Sequence, residues 1–258
     1  MQLWPRPSFD PERQPRFIFI ITPPNSGSTA LAQILNTSPR TMLLRPNGEG
    51  QWLIPGMCEA DRWNPDKEVD YESVRAVWLS AYQKQQELNP SICAVIEKSP
   101  PNMVRLNHLI ALFDHVTLLA NNRDPYASCA SILHRLQDVS FLSLEHRVAI
   151  LEGLAGDWVY RSRLIAALLD LHGSPLLTYE EFCADPSRVI SVPGMPLEVS
   201  SSITSSDLVH VKDYAPQPVM CYNQHQISLL SFVEIQAIGS VLIGCLDLLD
   251  RFGYRLLS

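Results

Sequence analysis

The sequence has no CxxC pair, no GxxxxGKS/T signature, no His, Cys, Asp or Glu grouping at metal-ligand spacing, and no basic excess. Each absence removes a class. The six cysteines, Cys58, Cys93, Cys129, Cys183, Cys221 and Cys245, stand far apart, so neither a zinc cluster nor a disulfide framework is expected. They read as reduced, mostly buried thiols. A net charge of −7 argues against a general nucleic-acid binder, which needs a basic surface to displace phosphate counterions. Any bound anion must therefore be held by a local basic site. No apolar stretch reads as long enough to span a bilayer, and none is expected to. Residues Met1 to Pro15 carry four prolines and charges of both signs instead of an apolar segment, so a secretory signal is not expected either. These features favour a cytoplasmic enzyme. With 258 residues and 46% hydrophobic content, the chain can bury the core of a single α/β domain spanning residues 1–258.

After an irregular leader, residues 1–15, Phe17 to Ile21 reads as a buried central strand that stops at Thr22-Pro23-Pro24. Ser28 to Leu35 reads as the helix that follows. Arg45 to Asn64 is rich in Gly, Pro, Trp and Met without a period, and it suggests an irregular border to a pocket. Tyr71, Val74, Val77, Trp78 and Ala81 then mark one face of a helix. Cys93 to Ile96, Val116 to Ala120 and Leu176 to Tyr179 are further strand candidates. Val104 to Phe113 and Tyr126 to Leu136 read as helices, Leu142 to Leu171 as a helical region interrupted by Gly153 and Gly156, and Ile227 to Arg251 as a long last helix. Strands alternating with helices predict a P-loop-like three-layer domain, a central parallel sheet of about four or five strands flanked by helices. Segments 45–90 and 195–225, the second holding a serine-rich stretch near 200, are expected to form a substrate lid.

Two strand-to-helix loops carry the chemistry. In Pro23-Pro24-Asn25-Ser26-Gly27-Ser28-Thr29, backbone N–H groups at a helix start can turn toward one phosphate. Gly27 permits close approach, and the hydroxyls of Ser26, Ser28 and Thr29 add donors. Read alone, the same residues equally describe a capped turn. In Asn121-Asn122-Arg123-Asp124-Pro125, Arg123 at the strand end and Ser131 on the next helix can converge on a second phosphate. Read alone, that segment equally describes an Arg123–Asp124 surface pair. Together the loops describe a bisphosphate nucleotide site at the carboxyl ends of parallel strands.

On these residues the chain resembles the family of sulfotransferases that use 3'-phosphoadenosine 5'-phosphosulfate (PAPS), in its bacterial and carbohydrate-type branch. FIFIITPPNSGSTALAQIL resembles the family's 5'-phosphosulfate loop, and NNRDPYASCASIL its 3'-phosphate segment with the step from Arg123 to Ser131. Glu97-Lys98-Ser99-Pro100 and Thr178-Tyr179-Glu180-Glu181-Phe182 resemble two further landmarks, in family order. The resemblance implies sulfuryl transfer to a hydroxyl or amine of a small-molecule, lipid or carbohydrate acceptor, with adenosine 3',5'-bisphosphate as product and no metal. It implies that Asn25, Ser26, Gly27, Ser28 and Thr29 hold the 5' side, Arg123 and Ser131 the 3'-phosphate, and that Tyr179 lies near the adenine. Lys98 would face the transferring group. One departure stands out: the family usually has Lys or Arg where this chain has Asn25, and Lys98 or Arg45 is expected to compensate. The family's basic loop in the C-terminal third has Lys212 as its candidate here.

The acceptor must lose a proton, so a general base is expected within hydrogen-bond reach. Glu49 is the first candidate, because the family's carbohydrate branch places a glutamate in the corresponding stretch, and His134 is the second. Two other readings stand beside transfer. One is a P-loop kinase, disfavoured by the missing signature. The other is a binding module that keeps the nucleotide and has lost turnover, which Asn25 motivates.

Overall fold

Phe17, Ile18, Phe19, Ile20 and Ile21 form a run of aromatic and β-branched residues, and a strand made of them has to be covered on both faces. It becomes β1 (Arg16–Ile21) inside a four-stranded sheet of order β2-β3-β1-β4, with β2 (Thr41–Leu43), β3 (Ala94–Glu97) and β4 (Val116–Ala120). All pairings are parallel. The computed structural model describes residues 14–136, 138–204, 208–211 and 215–257. Most of the leader, Ser205, Ser206 and Lys212 lie outside the described residues.

Alternation along β1 divides the core in two. Phe17, Phe19 and Ile21 face one side, where Trp78 and Phe113 stack against the Phe17 ring and lie tilted to Phe19. That layer is built from α2 (Tyr71–Leu88), α3 (Leu106–Ile110), α4 (Pro125–Leu136), α5 (Leu144–His172), α9 (Phe232–Leu242) and α10 (Leu246–Phe252). Ile18 and Ile20 face the other side, against α1 (Ser28–Leu35), Phe182 of α6 (Tyr179–Ala184) and Val199 of α7 (Leu197–Ser200). A short helix, α8 (Asn223–Ser228), packs by α4. The expected three-layer α/β architecture is the observed one.

Several elements differ from expectation. Leu176 to Tyr179 is not a strand: Leu176 makes a single parallel bridge to Ala120, and Thr178 caps α6 instead. The cause is a capping box, in which Thr178 Oγ1 accepts from the Glu181 N–H while the Glu181 carboxylate accepts from the Thr178 N–H. The fourth strand is β2, too short to show a period. Gly153 and Gly156 do not interrupt α5, because both lie on open faces where the missing side chain leaves no packing defect. The last helix is divided, with α8 separate and a 3-10 turn at Ile243–Cys245 between α9 and α10. Phe232–Phe252 is also, by length and composition alone, long and apolar enough to cross a membrane, which corrects the expectation that no stretch reaches that length. In this fold Ile238, Leu242, Leu249 and Phe252 of that stretch pack into the core.

Candidate active site

Parallel pairing makes β1, β3 and β4 end on one edge of the sheet, so the loops after them meet there. Ile21 is level with Ala120, and the next residues are tied across: Thr22 Oγ1 donates to Asn121 Oδ1 at 3.0 Å, and the Asn121 N–H donates to the Ile21 carbonyl at 2.8 Å. The two loops singled out in the sequence are thereby held side by side.

Asn25 and Gly27 both have left-handed backbone conformations, with φ of 59° and 73°. Asparagine and glycine are the residues that adopt this region most readily. A side chain at Gly27 would run into the Tyr179 ring, whose nearest carbon is 2.3 Å from the position a Cβ would take. Ser28 and Thr29 begin α1 and are buried, with Thr29 Oγ1 accepting from Lys98 Nζ at 3.1 Å. Ser26 Oγ is fully buried with no hydrogen-bond partner among the described residues. It is one of eight buried side-chain atoms without a partner among the described residues, and it lies in this turn.

Arg123 follows β4 and is only 5% exposed. Its Nη1 donates to the Asn25 carbonyl at 2.8 Å and its Nε to Asn223 Oδ1 at 2.8 Å, while Nη2 has no partner among the described residues. The guanidinium lies 4.3 Å over the Tyr179 ring centroid. Tyr179 is thus wedged between Gly27 and Arg123, its hydroxyl donating to the Met220 carbonyl and accepting from the Tyr222 N–H. Burial pushes its phenol well above the usual range, so it stays protonated. Beside it, burial pushes the Asp124 carboxyl up to about 6, with Glu180 adding to the rise, although Asp124 accepts the Ala127 N–H at the start of α4.

A second cluster adjoins the first through Thr29. Lys98, at the end of β3 and 2% exposed, pairs with Glu49 Oε1 at 3.0 Å. Glu49 Oε2 accepts from Trp52 Nε1 at 2.8 Å and from Gln51 Nε2 at 3.0 Å. Burial alone would push the Glu49 carboxyl up. The Lys98 charge and the donated hydrogen bonds outweigh it and hold the group below its ordinary value, as a carboxylate. Below this pair, Glu97 is fully buried and burial pushes it up to about 7, although it accepts from the Gly50 N–H at 2.8 Å and from Asn102 Nδ2 at 2.9 Å. Those bonds fix the loop that presents Glu49.

The structure therefore brings together Asn25, Ser26, Gly27, Ser28, Thr29, Lys98, Glu49, Arg123 and Tyr179. Ser131 and His134 lie half-buried on α4, and neither side chain makes a hydrogen bond with another described residue. Trp78, on the apolar helix face expected of it, and Met57 are core, whereas Trp52 is 45% exposed beside Glu49. Sequence reasoning missed three residues. Asn223 binds Arg123 from a hundred residues away and Glu180 Oε1 accepts from the Asp124 N–H, neither with a local signal. Arg135 Nη1 donates to Asn25 Oδ1 at 3.1 Å. Counting along the helix, four residues on from Ser131, was the available signal.

A family model described as "Sulfotransferase family" matches residues 15–191, which takes in both loops and both clusters. No curated protein matches. Among solved structures, the chain is similar to sulfotransferase STF9 from Mycobacterium avium, with TM-score 0.54, 16% identity, and 94% of this chain and 78% of that one covered. It is similar to a sulfotransferase from Alicyclobacillus acidocaldarius, with TM-score 0.55, 16% identity and coverage of 94% and 97%. It is also similar to the sulfotransferase domain of the Synechococcus PCC 7002 olefin synthase, with TM-score 0.52, 17% identity and coverage of 99% and 100%. At such identities these likenesses speak for the fold.

Proposed function

Since the chain belongs to the sulfotransferase family, we propose that it moves a sulfuryl group from PAPS to a hydroxyl or amine of a small-molecule, lipid or carbohydrate acceptor. The family replaces the kinase alternative. When bound, PAPS supplies an activated sulfuryl group attached to a phosphate leaving group. The residues present suit such a donor: Ser26 Oγ and Arg123 Nη2 are buried donors lacking partners among the described residues, linked through the Arg123–Asn25 bond, and Gly27 leaves open the close approach that a side chain would block. That pair of orphaned donors is the observation that carries the reading.

In this reading the loop Asn25 to Thr29 holds the phosphosulfate, and Arg123 with Ser131 holds the 3'-phosphate, with Lys212 as a further contact. Tyr179 walls the side of the base. Lys98 stabilises the charge that builds on the leaving phosphate. Glu49 takes the acceptor proton, and its ion pair with Lys98 keeps it ionised and near the reacting centre. The chain acts as one domain in the cytoplasm. The described parts of segments 45–90 and 195–225 border the acceptor entrance, where exposed Trp52 offers an apolar face.

Isothermal titration tests the nucleotide site. Adenosine 3',5'-bisphosphate is expected to bind without metal, and Arg123→Ala to weaken it by about 1.5–3 kcal/mol, the range for a charge-assisted contact. Equal affinity in folded wild-type and variant protein would remove Arg123 from the site.

The pH profile and two variants test the candidate bases. A carboxylate held below its ordinary value is already in its base form at neutral pH and loses it only as the pH falls past the usual glutamate range, so with Glu49 as base the acid limb of kcat/KM lies below that range. Glu49→Gln is expected to remove most turnover and His134→Gln little. The opposite result would transfer the role to His134.

A further inference from the structure

The charge available for the phosphosulfate end is smaller than the number of basic side chains suggests. Lys98 is paired with Glu49 at 3.0 Å, and Arg123 spends two of its three nitrogens on the Asn25 carbonyl and on Asn223. Asn25, in the middle of the loop, brings no charge. Its backbone explains the residue: at φ 59° asparagine is tolerated where a lysine is disfavoured. A 3'-phosphate alone carries about −1.5 to −2 at pH 7, and the chain as a whole is at −7, so no general positive field offsets it.

Arg135 is placed to supply what is lacking. It lies in the last turn of α4, exposed, with Nη1 on Asn25 Oδ1, and it enters no ion pair among the described residues. Its one described bond is to a neutral amide. A guanidinium gains more from a phosphate or sulfate oxygen, which it can meet with two parallel N–H groups. Directly beside Asn25 lies the buried Ser26 Oγ, which has no partner among the described residues and is a second donor in this turn free to meet an anion.

Resting on the nucleotide reading above, we propose that Arg135 is a donor-binding residue. Its guanidinium pairs with the phosphosulfate end of the nucleotide at Asn25, supplying from α4 the positive charge that the loop itself does not carry. It closes the loop from outside while Arg123 closes it from within.

The test is titration of adenosine 3',5'-bisphosphate into the full chain as wild type, R135A and R135K at two salt concentrations, with melting temperatures of the unliganded proteins. Loss of one charge-assisted contact predicts R135A to bind about 10- to 100-fold more weakly, with R135K in between and a shallower salt dependence in R135A. The unliganded melting temperatures should agree, since the side chain is exposed. Affinity of R135A within about twofold of wild type overturns the assignment, twofold being less than one contact is worth. Equal losses in R135K and R135A, accompanied by lowered melting temperatures, also overturn it, since they mark a residue that only stabilises the end of α4. No binding by the wild type would instead overturn the nucleotide reading itself, and this assignment with it.

Discussion

Lys98→Ala is expected to lower kcat for sulfuryl transfer by about 10²–10³-fold while changing the affinity for PAPS, whose 5'-phosphate does not yet carry the leaving-group charge, by no more than about threefold. The asymmetry follows from position. Lys98 touches Thr29 at the start of α1 and Glu49 across the loop, so its charge sits between the proposed phosphate cradle and the proposed base. Charge grows there only during reaction, and an interaction stronger in the transition state than in the ground state appears in kcat. Radiolabelled sulfate released from PAPS, to water or to the best acceptor in a panel of alcohols, sugars and lipids, provides the rate. A second variant keeps the test sharp, because alanine also leaves a half-buried Glu49 without its partner. Lys98→Arg keeps the ion pair, so it should preserve stability and recover part of the rate. Unchanged turnover in folded Lys98→Ala would reduce Lys98 to a structural partner of Glu49.

Gly27→Ala is expected to abolish measurable nucleotide binding and to destabilise the fold. Two independent costs combine. A non-glycine residue at φ 73° costs about 1–3 kcal/mol of backbone strain. The added Cβ would also approach a Tyr179 ring carbon to 2.3 Å, and overpacking costs about 1–3 kcal/mol more. The ring cannot easily yield, since its hydroxyl is bonded to the 220–222 backbone and Arg123 covers its face. Any relief would move Arg123 and open the site. Urea denaturation and titration with adenosine 3',5'-bisphosphate, run on the same preparation, measure both effects. Near-normal stability and binding would mean that the turn around residue 27 is far more plastic than its packing indicates.

Local signals worked where the physics is local. The continuous apolar run at 17–21 fixes a strand buried on both faces, and Ser28 to Leu35 is a helix with the bounds expected of it. They failed where two local tendencies competed. At Leu176 to Tyr179 the capping box outweighed the β-forming residues and turned the chain into α6. In α5 the glycines cost some helix propensity, which packing of Leu151, Ala155, Trp158 and Ile165 overrides. β2 was illegible because three residues define no period, and its place depends on pairing with β3.

The sequence by itself determined the family, the parallel α/β plan and the segments that carry the chemistry, because a strand ending in a glycine-bearing turn before a helix is written within a few consecutive residues. Only the tertiary structure decided which side chains meet: Glu49 with Lys98, Arg123 with Asn223, Arg135 with Asn25. Those partners lie 49 to 110 residues apart. Their contact comes from the pairing that levels the strand ends and from the packing of α4 and α8 over the loops, which no short stretch of sequence encodes.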